Sequence, residues 1–308
     1  MKQAVTVVGS VALDDIETDV SQKTDVVGGS AIYFSISGSF FSKIEMVGVA
    51  GTDFPKKTIE ELKKYDIDLE GLKLQEGKTF KWGGRYHSGL QKRDTLYTHL
   101  NVFKNFSPNI PDNYKNTPYV FLGNIQPELQ LSVLNQLESP EFVALDTMNL
   151  WINEKREKLM KVIKRSDLLI INDEELTDLT EERNIIKGVR SLHQEGIKYI
   201  IIKKGQHGAY LSHFSTSDQK DSSLFYSPAF PTPLPKDPTG AGDSFAGGFM
   251  GYLASCDEIN FTNMKKALVY GNIMGSFSIE EFSIKKLLQI DKKDIEERYK
   301  KLRKISTI

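Results

Sequence analysis

The chain has 308 residues, 40 Lys and Arg against 41 Asp and Glu for a formal charge of −1, 39% hydrophobic and 26% charged residues, and a single cysteine. At roughly 150 residues per domain this is one large domain or two smaller ones, long enough for a substantial core. Near-neutral charge gives no electrostatic basis for a nucleic-acid or membrane partner, Cys256 alone closes no internal disulfide, and no apolar run approaches the ~18 residues of a membrane span.

Ala4–Val8 reads as a first β-strand. Thr6 and Gly9 interrupt the apolar stretch and Asp14 and Asp15 follow at once, which does not suit a secretion signal with an apolar core of about 7–15 residues; a cytoplasmic protein is expected. Asp15–Val27 is polar and has no helical period. Ala31–Phe41 is helical, Ile44–Val49 a strand and Thr58–Tyr65 helical. Leu72–Phe103 holds two aromatic-rich extended segments, Thr79–His87 and Thr95–Phe103. The strands Tyr119–Leu122, Phe142–Leu145, Leu168–Ile171 and Tyr199–Ile202 then alternate with the helical segments Leu129–Leu137, Glu154–Arg165 and Ile185–Glu195. Ser215–Ser223 is a polar loop and Phe230–Pro238 a proline-rich one. Helices dominate from Asp243 to Lys292–Lys304, where Asp294 with Arg298 and Glu296 with Lys300 read as pairs on a solvated face.

Strands that are apolar at nearly every position are buried on both faces, as in a parallel sheet covered by helices. Their alternation with helices predicts an α/β domain of three layers, α/β/α, around a mainly parallel sheet. The stretches 15–27 and 72–103 fit no crossover helix and are placed as strands projecting from the sheet edge, either a small β-sheet lid or an ordinary edge hairpin. The chain, 1–308, is read as a single domain.

The strongest signal is Asp237-Pro-Thr-Gly-Ala-Gly-Asp243. Pro235 and Pro238 forbid regular structure before it, and a helical run with Gly247, Gly248 and Gly251 inside it follows. Each interior glycine costs ~1 kcal/mol relative to alanine, so close approach to the sheet or to a ligand is expected. A glycine turn entering a helix presents unpaired N–H groups backed by the helix dipole, a site suited to phosphate. Asp243 beside it serves either as a helix cap or as the base that takes a proton from an attacking hydroxyl, and the segment alone leaves both open. No Gly-x-x-x-x-Gly-Lys-Ser/Thr loop and no Gly-x-Gly-x-x-Gly after the first strand are present, which disfavours P-loop NTPases and dinucleotide dehydrogenases.

Asp-Pro-Thr-Gly-Ala-Gly-Asp243-Ser-Phe-Ala-Gly-Gly resembles the C-terminal signature of the ribokinase-like (PfkB-type) carbohydrate kinases. The resemblance runs along the chain: Gly9-Ser10 with Asp14, Gly28-Gly29, Gly48-Val49-Ala50-Gly51-Thr52-Asp53, Asn172 with Glu175, and Ile202-Lys203-Lys204-Gly205 with Gly208. It implies a ribokinase-like fold with a small β-sheet lid and a kinase that uses ATP and Mg²⁺. Asp243 would be the catalytic base, and the amides of Gly240, Ala241 and Gly242 the anion hole. Asp14, Gly28 and Gly29 would bind substrate hydroxyls. Lys204, Gly205, Gly208 and Thr239 would lie along the nucleotide. Family lids that pair between subunits imply a possible homodimer.

Asn172 and Glu175 start a helix after an apolar strand. An amide and a carboxylate there suit Mg²⁺ held through water, or, more blandly, a helix N-terminus. Asp237 and Thr239 could form a monovalent-cation (K⁺-type) loop or make local hydrogen bonds. The chain departs from the family at Tyr33, where a sugar-binding Asn is usual, and at Gln126, where ribokinase has Glu, so ribose is not the expected substrate. Trp82, Arg85, Tyr86, Arg93, Tyr97 and His99 either line the substrate from the lid or form cross-strand pairs. The expected reaction is phosphorylation of a small sugar or sugar derivative. The alternatives are an adenosine/inosine-type nucleoside kinase and, in a different class, a non-catalytic sugar or nucleotide sensor.

Overall fold

Pleat parity organises the molecule. The computed structural model describes residues 3–19, 21–87, 90, 92–214 and 222–306. In chain order its elements are β1 (Ala4–Val8), β2 (Ala12–Glu17), β3 (Gln22–Gly28), α1 (Ser30–Ser39), β4 (Lys43–Gly51), α2 (Lys56–Lys64), β5 (Ile67–Asp68), β6 (Leu72–Gln75), β7 (Phe80–His87) and β8 (Lys92–His99). There follow β9 (Tyr119–Leu122), α3 (Pro127–Leu134), β10 (Phe142–Asp146), α4 (Asn149–Glu154), α5 (Arg156–Ile163), β11 (Leu168–Asn172), α6 (Asp173–Thr180), α7 (Ile185–Gln194) and β12 (Tyr199–Lys203). The chain closes with β13 (Ala209–Phe214), β14 (Ser222–Ser227), α8 (Ala241–Ala254), α9 (Phe261–Ser278) and α10 (Lys292–Ser306).

Ten strands make one sheet in the order β14-β13-β12-β11-β10-β9-β1-β4-β5, with β6 also on β4. It is parallel from β12 to β5, and only the β12-β13-β14 tail is antiparallel. Successive side chains point to opposite faces. Val7, Phe121, Ala144, Ile170 and Ile201 pack with α1, α8 and α9 in one core, while Val8, Leu122, Leu145, Ile171 and Ile202 pack with α3, α5, α6 and α7 in the other. Each such fully buried aliphatic side chain contributes about 1.5–3 kcal/mol. The three-layer expectation holds.

The helix glycines have a different reason from the one expected. A Cβ on Gly247 would stand 2.3 Å from the Phe34 carbonyl oxygen, and one on Gly251 would stand 2.6 Å from that of Gly38. These two let α8 approach α1, and Gly248 lets it approach α9, where a Cβ would stand 2.6 Å from Met274 Cγ.

A second sheet, β3-β2-β7-β8, lies beside the first. Its content differs from the reading of the sequence. β2 begins at Ala12, and Leu72–Gln75 belongs to the large sheet because it extends the parallel ladder of β4, Leu72 facing Gly48. Strand β8 stops at His99; Asn101, at φ 48°, starts a 3₁₀ turn over 101–105 in place of an extended segment. On α10 the anticipated pairs are replaced: Arg298 turns inward to Glu280 and the Ser276 hydroxyl, and Glu296 accepts a hydrogen bond from the Tyr270 hydroxyl. The polar segment Ser215–Ser223 lies outside the described residues up to 221. Among the described residues no helix is long and apolar enough to cross a membrane.

Candidate active site

The site gathers at the C-terminal ends of the parallel strands, where open α/β sheets bind ligands. Gly240, at φ 74°, is the N-cap of α8; this left-handed conformation suits glycine, and a Cβ there would also strike the Tyr33 ring at 2.3 Å. Asp243 is the third residue of the helix and caps nothing, since no side-chain cap bond is made. The cap alternative therefore falls. Its carboxyl is partly accessible yet closely surrounded. Burial, and then the neighbouring Asp146 carboxylate, push its pKa up to about 7, against the pull of Lys203 and Arg93.

One of the three expected anion-hole donors is not available. The Ala241 N–H donates to the Pro238 carbonyl at 3.2 Å. The amides of Gly240, Gly242 and Asp243 have no such acceptor among the described residues, as expected of a helix's first turn. The free N–H groups of this turn are thus shifted by one residue from those expected, with the Asp243 amide in place of that of Ala241.

Three neighbouring strands end in a polar residue: Asp146 on β10, Asn172 on β11 and Lys203 on β12, the last two directly opposite each other. Asp146 and Lys203 share the pleat parity of Ala144 and Ile201 and lie on the α8 side, while the Asn172 side chain bonds back to the start of α6. Lys203 Nζ lies 3.3 Å from Asp146 Oδ1, whose orientation is fixed by the Thr147 N–H at 3.0 Å. Burial alone would lower the Lys203 pKa, but Asp146 and Glu175 outweigh it and hold the group above its ordinary value. Neither Lys203 nor Asp146 was singled out as a site residue in the sequence. The legible signal was an apolar strand ending in a charge on the α8-facing parity. Lys204, which was singled out, turns to the other side and pairs with Asp173. Gly205 and Gly208 form the turn between β12 and β13.

Asn172 and Glu175 form a reciprocal capping box: each backbone N–H donates to the other's side chain at 2.8 Å. The bland reading is therefore real, and it leaves Asn172 Nδ2 and one Glu175 oxygen facing outward. Glu175 is buried, and that burial raises its pKa despite Lys203. The two Asp237 oxygens each accept one backbone N–H, from Thr239 at 2.9 Å and Ser283 at 3.1 Å, which pins the loop and leaves each oxygen a second lone pair.

On the substrate side, strand alternation separates the two adjacent acids. Asp15 faces the small sheet, 3.1 Å from Lys81 and bonded to the Tyr97 hydroxyl. Asp14 is buried, next to an irregularity in the β2–β3 ladder, with its pKa raised by burial and by Asp237 and Asp243. A Cβ on Gly28 would occupy the position of its carboxylate, 1.9 Å from Oδ2, so that glycine makes room for Asp14 itself. Gly29, at φ 99°, is the N-cap of α1. Tyr33 is 1% exposed, its hydroxyl has no partner among the described residues, and the carboxylates bearing on it are those of Asp237, Asp14 and Asp243. Gln126 is exposed at the N-cap of α3.

The lid residues divide. Arg85 pairs with Glu17 and Trp82 bonds to Thr95 across neighbouring strands, and Tyr97 stacks on His99 two residues along β8. Tyr86 and Arg93 reach the site. The Tyr86 hydroxyl lies 2.9 Å from Thr239 Oγ1, and the Arg93 charge bears on both Asp243 and Glu175.

Comparison with known proteins agrees with this geometry. The model of the pfkB family carbohydrate kinases matches residues 4–289. A cytidine kinase of Thermococcus kodakarensis is 28% identical over 274 residues, 85% of this chain and 95% of the relative. Fructokinase-2 of Oryza sativa subsp. japonica is 32% identical over 132 residues, 41% of this chain and 37% of the relative. The crystal structure of a putative ribokinase II from E. coli, in complex with ATP and Mg²⁺, superposes with a TM-score of 0.75 at 17% identity and covers 97% of this chain and 99% of its own. With the family model spanning most of its length, the chain belongs to the PfkB family of ribokinase-like kinases and is an ATP-dependent phosphotransferase of the sugar and nucleoside kinase class.

Proposed function

We propose that the enzyme transfers the γ-phosphoryl group of ATP to a hydroxyl of a nucleoside. The observation that carries the chemistry is the Asp243 carboxyl, free of helix-capping duty, in the first turn of α8 beside amides with no protein acceptor. Asp243 takes the proton as the acceptor oxygen attacks the phosphorus in line. The N–H groups of Gly240, Gly242 and Asp243 hold the charge that develops on the phosphoryl oxygens, each donor being worth about 3 kcal/mol. Glu175 offers the carboxylate oxygen that the capping box leaves over, which fits Mg²⁺ held through water, and Asn172 Nδ2 can donate to a phosphate oxygen; when bound, the ion would supply positive charge to the phosphates. Tyr86, bonded to Thr239, keeps the small sheet over the cleft and limits water, the competing acceptor.

The nucleoside reading rests on Tyr33, which replaces a small sugar-binding amide with a phenol ring against Gly240, and on aromatic Tyr86, near enough to Asp14 for that charge to act on its hydroxyl. It is supported by the cytidine kinase aligning along most of the chain while the fructokinase aligns over less than half. Asp14, a carboxylate suited to vicinal hydroxyls, keeps a free sugar as the second reading. The test is ADP release across nucleosides, sugars, sugar phosphates and sugar acids. A nucleoside acceptor with at least tenfold higher kcat/KM than any free sugar supports the reading. Preference for a free sugar refutes it, and ligand binding without ADP release would point to a sensor.

A further inference from the structure

Lys203 occupies a place in this site that the proposed mechanism leaves unused. Its ammonium is clamped by Asp146 at 3.3 Å and stands 3.2 Å from where a Cβ on Gly242 would be. The Gly242 amide is one of the free donors in the first turn of α8, so an oxygen held by that N–H lies within reach of Nζ. The side chain keeps 18% of its surface accessible, against 9% for Asp146. It is thus enclosed on most sides but still partly accessible. Around it stand Asp146 on β10, Glu175 on α6 and Asp243 on α8, three acids against one ammonium, with Arg93 on the exposed face of β8. A triphosphate entering an acid-lined pocket needs a fixed positive charge near the phosphorus, and a lysine ammonium supplies it as a compact point charge.

We propose that Lys203, held by Asp146 against Gly242, directly contacts the phosphoryl group being transferred and is a catalytic residue of this kinase. The inference rests on the reading of the site as an ATP-dependent kinase. In the step, the acceptor oxygen forms the new P–O bond. The β–γ bridging P–O bond breaks with its electron pair leaving on ADP, the acceptor proton passes to Asp243, and Lys203 keeps its own proton throughout.

The experiment compares the full chain with Lys203→Met, Lys203→Arg and the double variant Asp146→Leu/Lys203→Met. The double variant removes both members of the buried pair, a change that tolerates folding better than breaking it. Calorimetry measures binding of Mg²⁺-ADP and of Mg²⁺ with the β,γ-methylene analogue of ATP, and steady-state kinetics uses the best acceptor from the screen. Lys203→Met is expected to weaken the ATP analogue by about 10–100-fold while ADP changes by less than about threefold. It should lower kcat by about 10²-fold or more with little change in acceptor KM, and Lys203→Arg should recover part of the loss. If Lys203→Met does not fold, the double variant is expected to show the same selective loss. Equal losses for ADP and the analogue, or no loss in a folded variant, overturn the proposal. Failure of the wild-type chain to bind either nucleotide would refute the kinase reading itself, whereas normal wild-type binding with indifference to Lys203 refutes only this one.

Discussion

Asp243→Asn separates catalysis from stability. The substitution keeps the shape of the side chain and removes its basicity, so turnover should fall by about two to four orders of magnitude while ADP affinity stays within a few-fold. In the wild type the carboxyl sits near pH 7 when folded, against an ordinary value of 3.8. As a base it must be ionised, so kcat/KM should drop about tenfold for each pH unit below 7. The same gap has a cost in stability. The folded state binds this proton more tightly than the unfolded chain, so the stability associated with it is full below about pH 4 and is lost as pH rises through about 7. At 1.36 kcal/mol per pH unit the penalty at pH 8 is about 4 kcal/mol. Asp243→Asn should therefore be more stable than the wild type by a few kcal/mol at pH 8, and the difference should shrink by more than half at pH 5. ADP-coupled assays and denaturant melts at the two pH values measure both. Near-normal turnover in the variant, or an acid limb centred near pH 4, would refute the argument.

Glu175→Gln retains an acceptor for the Asn172 N–H, so the capping box and the fold should survive. The Mg²⁺ concentration for half-maximal rate should rise about 10–100-fold, read from a Mg²⁺ titration, and an unchanged requirement would remove Glu175 from any metal role. Gly247→Ala places a methyl group 2.3 Å from the Phe34 carbonyl oxygen. Overpacking should cost about 1–3 kcal/mol despite the better helix propensity of alanine, and an undiminished denaturation midpoint would contradict the α1–α8 packing. Tyr33→Asn restores the amide usual in the family and should raise kcat/KM for free sugars relative to nucleosides; equal change for both classes would remove Tyr33 from specificity.

Much of the architecture was legible because the β9 to β12 strands are apolar on both pleat faces, a pattern that only a helix-covered parallel sheet accommodates. The glycine turn before α8 was legible for a similar reason: prolines, glycines and an acid in that order leave few backbone options. The reading went astray where two local rules competed. Leu72–Gln75 looked like part of a lid hairpin because β-propensity says nothing about which ladder a short strand joins. Lys204 drew attention while Lys203 held the inward position, because alternation assigns faces only after the strand's register is known.

By itself, the sequence determined the layered fold and the glycine turn before α8, since both follow from backbone preferences and periodicities written locally along the chain, and its motifs carried the resemblance to the family. Only the tertiary structure decided that Asp243 is free of capping, that Pro238 withdraws the Ala241 amide, that Asp237 pins its own loop, and that Lys203 stands against Gly242. Those facts depend on distances between residues far apart in the chain, and burial, which shifts charges and commits hydrogen bonds, exists only once the chain has packed.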